Sequence, residues 1–322
     1  MNPWTIGMLA VLALFAALSV SIAAAMLKIA FMRQERKTPL KPEQDVYYPF
    51  RERVQEGLDW YADQPVEELW IRSCDGLRLY GRLLPREEAK GTILMMHGYH
   101  GDALTDFAAV MRFCHEAGYR LLIPDERAHG QSEGKYISFG VRERHDVLAW
   151  LAALNARFGA EEPLFLYGLS MGCSTVLAAA GLGLPDNVRG IVADCGYTRP
   201  WDICAHVLRS RMRLPVFPIL HIAALFTRLF GGFGLRQASA PRAMRRNRRP
   251  VLFFHGAKDD FVPFWMGNAN YAACVAEKEQ VVVAEAGHAQ SFLMEPERCL
   301  EALGAFLSRH TEAAAGRDAG GG

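Results

Sequence analysis

The sequence predicts an α/β protein, with a mostly parallel sheet of eight strands, helices on both faces, and one long apolar helix in front. Three observations carry this expectation. From about residue 68 to residue 310, short apolar runs bounded by turn residues alternate with stretches of helical periodicity, the pattern of strand and crossover helix. One of these junctions reads Gly168-Leu169-Ser170-Met171-Gly172, between an apolar run at 163–167 and an Ala-rich run at 173–182. Ahead of all this, residues 3–27 carry no charge.

In chain order, the apolar run at 6–26 comes first, and as a helix it is long enough to cross a hydrocarbon core of roughly 30 Å. A cleavable signal peptide is the rival reading, and Ala23-Ala24-Ala25 imitates its cleavage site. Against it, no positive segment precedes the run, and the run exceeds the roughly 7–15 residues of a signal's apolar core. Lys28, Arg33, Arg36, Lys37 and Lys41 follow the span, which predicts a short N-terminus outside and the remaining chain on the cytoplasmic side. The organisation expected is therefore an anchor with its basic flank at 1–33, then a linker and short helix at 34–67. The main domain spans 68–310, and a disordered tail fills 311–322.

Within the main domain, Leu69-Trp70-Ile71-Arg72 and the run at 77–84, joined at Asp75-Gly76, predict an opening hairpin. Strands follow near Thr92, Tyr119, Leu164, Val188, Val251 and Gln280. The longest connecting helix is expected at 141–158, where Val147, Leu148, Leu151 and Leu154 recur at helical spacing. Residues 197–247 interrupt the alternation with an apolar stretch at 214–233, broken by Pro215, Pro218 and Gly231-Gly232. Arg209, Arg211 and Arg213 precede that stretch, and Arg242, Arg245, Arg246, Arg248 and Arg249 follow it. Such a segment fits either an apolar lid that meets an acyl chain or an anionic membrane surface, or a cap packed on the core with solvated arginines, the more ordinary arrangement.

Composition narrows the function. A net charge of +1 gives no reason to expect nucleic acid, and seven cysteines without paired spacing fit reduced thiols. The chemistry lies in the turns after the strands. In G-x-S-x-G between strand and helix, the serine occupies a tight turn that leaves no room for side chains two residues away on either side. Upstream, the run at 92–96 leads into His97-Gly98-Tyr99-His100-Gly101, a turn able to aim a backbone N–H at the same point. Downstream, the run at 250–254 leads into His255-Gly256-Ala257-Lys258-Asp259-Asp260, and the run at 280–284 into Glu285-Ala286-Gly287-His288. Ser170, Asp259 and His288 thus appear in the order nucleophile, acid, base, each just beyond a strand-like run.

On these residues, residues 68–310 resemble the α/β-hydrolase superfamily, and within it the serine aminopeptidase-like and BEM46-like hydrolases, many of which carry an N-terminal membrane segment. The stretch Asp125-Glu126-Arg127-Ala128-His129-Gly130-Gln131-Ser132 matches that family's D-x-R-G-x-G-x-S except at Ala128, where a glycine is usual. The resemblance implies the α/β-hydrolase fold, a helical cap at about 197–247, and hydrolysis of an ester, amide or thioester without a cofactor or metal. It leaves the substrate open, whether a small molecule or a lipid.

The expected machinery is Ser170 as nucleophile, His288 as base and Asp259 as its orienting acid, with the amides of Tyr99 and Met171 as oxyanion donors. Alternatives stand beside it. Asp260 is adjacent to Asp259, and Asp194 ends the strand-like run at 188–193. His97, His100 and His129 lack the carboxylate and spacing of a metal site, and Cys173 and Cys195 read as small core residues. A serine esterase is the leading reading. A peptidase, with Glu133, Glu143 or Asp202 holding a substrate amine, and a non-catalytic membrane scaffold are the others.

Overall fold

The computed structural model describes residues 2–34 and 46–318. Residues 35–45 of the expected linker, with Arg36, Lys37 and Lys41, and residues 319–322 of the expected tail lie outside the described residues. The first helix, α1 (Pro3–Met26), starts where the Asn2 side chain accepts from the Trp4 amide and Pro3 takes the first helical position, two features that favour a helix start. It continues through a π-helical turn, Leu27–Phe31, and ends where Met32 forms an antiparallel bridge with Tyr136. A short helix α2 (Arg51–Ala62) precedes the sheet.

The eight strands are β1 (Glu67–Arg72), β2 (Arg78–Leu84), β3 (Thr92–Met96), β4 (Arg120–Pro124), β5 (Leu164–Leu169), β6 (Val188–Asp194), β7 (Val251–Gly256) and β8 (Lys278–Val283). They lie in the order β1-β2-β4-β3-β5-β6-β7-β8. The β1–β2 and β2–β4 pairs are antiparallel and the rest parallel, so β2 alone runs against the sheet. This is the α/β-hydrolase fold with the eight strands expected. The central strands β3, β5 and β7 are buried along their whole length because helices cover both faces, which is why they read as unbroken apolar runs. Edge strand β1 instead alternates half-buried and exposed residues and carries Glu67, Glu68 and Arg72.

One face is covered by α2, α3 (Ala103–Phe107), α4 (Met111–Glu116), α11 (Ser291–Met294) and α12 (Pro296–Asp318), through residues such as Phe107, Met111, Phe292, Leu303 and Phe306. The other is covered by α5 (Glu143–Phe158), α6 (Met171–Ala180), α9 (Ala240–Met244) and α10 (Phe264–Ala273). Between β6 and β7 the chain adds α7 (Pro200–Ser210), α8 (Ile219–Phe226) and a second π-helical turn, Thr227–Gly231. These join the end of α1 in a third apolar cluster above the carboxyl ends of the strands. The two arginine groups of the insertion separate in space. Arg209, Arg211 and Arg213 precede α8, whereas Arg242 and Arg245 belong to α9 and its end, which pack on α6 and α10. The final helix continues to Asp318, past the expected domain end at His310.

Candidate active site

The turns after β3, β5, β7 and β8 converge at one edge of the sheet. After β5 the chain reverses at Ser170, which has φ 54° and ψ −109°, and enters α6 directly. The flanking glycines are sterically required. A Cβ on Gly168 would stand 2.4 Å from the carbonyl oxygen of Gly172, and one on Gly172 would stand 1.9 Å from that of Met96. The Ser170 amide donates to the backbone carbonyl of Asp194 at 2.8 Å, which ties the strained turn to the end of β6. Strain of this kind costs about 1–3 kcal/mol and persists only where neighbours hold it.

Ser170 Oγ lies 2.9 Å from His288 Nε2, and His288 Nδ1 lies 2.7 Å from Asp259 Oδ2. The other oxygen of Asp259 accepts the amides of Phe261 at 3.0 Å and Val262 at 2.8 Å, leaving Oδ2 aimed at the imidazole. A carboxylate on Nδ1 places the ring proton there and makes Nε2 the acceptor for the serine hydroxyl. Burial pushes the Asp259 carboxyl up, but the charges and hydrogen bonds of His288 and His255 outweigh it and hold it well below the usual range. Burial likewise opposes charging of His288, yet the Asp259 carboxylate overcomes it and raises the imidazole pKa.

The two alternative acids are placed differently. Asp260 is exposed and pairs with Arg211 at 2.6 Å. Asp194 is buried and near the imidazole, but its Oδ1 has no hydrogen-bond partner among the described residues, and burial pushes its carboxyl up to about 7. Cys195, Asp259 and His288 bring ligand-type atoms within 4.8 Å of one another. Burial first, then the charges of Asp194 and Asp259, push the Cys195 thiol well up, so it stays protonated, and both side chains beside it are already engaged.

The turn after β3 is held by groups that sequence reasoning did not single out. The Gly98 amide donates to Asp106 Oδ2 at 2.7 Å, and Tyr47 Oη donates to Asp106 Oδ1 at 2.9 Å. His97 Nε2 accepts the Glu126 amide at 2.9 Å, so Nδ1 carries the proton and donates to the Gly98 carbonyl at 2.7 Å. His129 Nε2 accepts the His100 amide at 3.1 Å, and burial holds its pKa well below the ordinary value, which keeps it an acceptor. These histidines therefore fasten turns. Ala128, the departure from the family pattern, keeps the left-handed backbone that a glycine would supply, with φ 62°.

The three acids considered for an amine site are all engaged. Glu143 accepts the amides of Ser138 at 2.7 Å and Gly140 at 2.9 Å. Asp202 binds Thr198 at 2.6 Å and Arg199 at 2.8 Å, and Glu133 accepts the Arg78 amide at 2.9 Å.

Comparison with known proteins agrees with this architecture. The profile of the family described as serine aminopeptidase, S33, matches residues 87–223, a stretch that holds Ser170 and ends before Asp259 and His288. The chain is 30% identical over 222 residues to the uncharacterized protein YqkD of Bacillus subtilis, covering 69% of this chain and 72% of that one. It is 24% identical over 261 residues to the uncharacterized protein YfhR of Salmonella typhimurium, covering 74% and 83%. Among solved structures it is similar to the Pyrococcus furiosus esterase Pf2001, with a TM-score of 0.66 at 22% identity, over 87% of this chain and 98% of that one. It is also similar to an esterase domain of a Rhodothermus marinus protein, with a TM-score of 0.55 at 20% identity, over 77% and 100%. At such identities the solved structures speak for the fold alone. The sheet order, the turn at Ser170, the matched profile and the relative from Bacillus subtilis together place the chain in the serine aminopeptidase S33 family of α/β hydrolases.

Proposed function

We propose that this protein is a membrane-anchored serine hydrolase that cleaves a carboxylic ester through an acyl-enzyme on Ser170. The observation that carries the reading is the hydrogen-bonded relay of Ser170, His288 and Asp259, with distances of 2.9 and 2.7 Å. In the mechanism, His288 Nε2 takes the hydroxyl proton as Ser170 Oγ bonds to the carbonyl carbon, and Asp259 stabilises the imidazolium. The proton then passes to the leaving alcohol. Water, activated by the same imidazole, releases the acid and restores the serine.

The amides of Tyr99 and Met171 are the proposed oxyanion donors. The Met171 amide opens α6 and so has no acceptor within its own helix. For Tyr99 the support is the peptide before it. His97 draws the Gly98 carbonyl toward itself, and in a trans peptide the next N–H points the opposite way. Each such donor is worth about 3–4 kcal/mol of transition-state stabilisation. Met171 also belongs to the apolar cluster of Phe31, Phe139, Tyr197, Leu220 and Phe233, with Tyr99 packed against it, which favours an acyl group over a charged amine. The hydrogen bonds that Glu143, Asp202 and Glu133 make within the domain weigh against the peptidase reading.

Anchoring rests on the continuous apolar helix at Pro3–Phe31, long enough to span a bilayer, with the positive charges after it directing the catalytic domain to the cytoplasmic side. The test of function is hydrolysis of p-nitrophenyl esters from acetyl to palmitoyl by wild type and Ser170→Ala. Activity that disappears in the variant supports the reading. Activity that survives in it, or hydrolysis of amino-acid amides without hydrolysis of esters, overturns it.

A further inference from the structure

The helix at Pro3–Phe31 is not a free tether. Ser19, Ile22, Ala23, Met26, Leu27, Ala30 and Phe31 are its buried or half-buried positions, spaced three and four apart along one stripe, and α1 packs on α8. Its lower end is fixed to the domain. The Ile137 amide donates to the Phe31 carbonyl at 2.8 Å, the Arg33 amide to the Lys135 carbonyl at 2.9 Å, and Tyr99 Oη to the Ala30 carbonyl at 3.0 Å. Phe31 itself is fully buried between Phe139 and Phe233, with ring centroids 5.2 and 6.2 Å away.

Length then decides where α8 sits. Residues 3–18, all exposed, make only about 24 Å of helix at about 1.5 Å per residue. A hydrocarbon core is about 30 Å thick and takes about 20 residues, so the span has to include the stripe from Ser19 to about Ala23. The first charge is the exposed Lys28, one turn further on. The element packed on that stripe therefore lies at the same depth. Its outward residues suit such a place: Leu225, Leu229 and Phe230 are 52%, 65% and 60% exposed, in a segment where Arg228 is the one charged residue from Ile219 to Gly231. Arg209 and Arg213, exposed on the segment leading into α8, suit anionic headgroups.

We propose that α8 and its π-helical turn are embedded beside α1 in the bilayer leaflet on the catalytic side, so that the lipid bilayer is the partner of this face. This rests on the spanning role given to α1 above. It makes the domain a body seated on the membrane, with the cluster around Phe31 opening next to lipid, and a bilayer-resident ester the substrate class it is placed to meet.

The test uses the full chain with the exposed native thiol removed by Cys74→Ser, reconstituted in vesicles of phosphatidylcholine and phosphatidylglycerol. A bimane label is placed in turn at Leu229→Cys, at Val11→Cys on the outer face of α1, and at Glu161→Cys on an exposed loop. Lipids brominated in their acyl chains are the quencher. The expected result is a loss of fluorescence at position 229 comparable with that at 11, and none at 161. Quenching at 11 without quenching at 229 overturns the proposal and leaves the anchor standing, including the case in which a second copy covers α8. No quenching at 11 overturns the anchor itself, and this inference with it.

Discussion

The turns at the carboxyl edge of the sheet and the face formed by α1 and α8 are built on opposite principles. At the sheet edge the backbone is strained, as at Ser170 with φ 54°, and a network of short polar contacts holds it. On the helical face the backbone is α-helical with two π-helical turns, and large apolar side chains such as Leu12, Leu229 and Phe230 stand exposed. Soluble domains avoid contiguous surfaces of that kind, whereas strained turns are common where chemistry occurs. The difference teaches that the first region is held by contacts within the chain, whereas the second is the face for which the bilayer is proposed as the partner.

The largest effect expected from breaking this contrast is at the proposed nucleophile. Ser170→Ala should lower ester turnover by about 10⁴–10⁶-fold while leaving the melting temperature near that of the wild type, since one hydroxyl is removed and no contact with the core changes. Next is a comparison of two buried acids at the same edge. Asp259→Asn should lower kcat by about 10⁴-fold, because an amide favours the wrong imidazole tautomer. Asp194→Asn should cost less than about tenfold, because the hydrogen bonds of His288 come from Asp259 and Ser170. A larger loss in Asp194→Asn than in Asp259→Asn would exchange their roles.

Strain at the elbow is tested by stability. Gly172→Ala forces a Cβ to within 1.9 Å of the Met96 carbonyl and should destabilise the fold by about 3 kcal/mol or more, read by denaturant unfolding. The pH profile tests the electrostatics. The base must be neutral, so kcat/KM should rise with pH through the His288 pKa, which Asp259 raises above the ordinary 6.5. In Asp259→Asn that limb should move to lower pH. The smallest effect is at Ala128, where Ala128→Gly relieves a left-handed backbone and should stabilise the protein by about 1 kcal/mol or less.

How much of this was legible in the sequence follows from how local each constraint is. The Gly168 and Gly172 positions are imposed by one tight turn, so a five-residue pattern carries them. The alternation of strand and helix predicted the sheet because β3, β5 and β7 are buried on both faces and show it as apolar runs. Asp106 and Tyr47 were not legible. Their contact joins residues 59 apart, and an aspartate four positions after the Asp102 helix cap looks like any solvated acid. The left-handed turn at Ala128 was hidden by its residue type. The docked stripe of α1 was hidden for another reason: where every position is apolar, no periodicity marks a face, and the small residues Ser19 and Ala23 were its only trace.

The most direct test of the proposed nucleophile is intact-mass and peptide mass spectrometry after treating the full-length protein with a fluorophosphonate. The relay of Ser170, His288 and Asp259 predicts a single phosphonyl adduct on the peptide containing Ser170, lost in Ser170→Ala and strongly slowed in Asp259→Asn. An adduct on another residue, or no adduct in protein that hydrolyses esters, would contradict it.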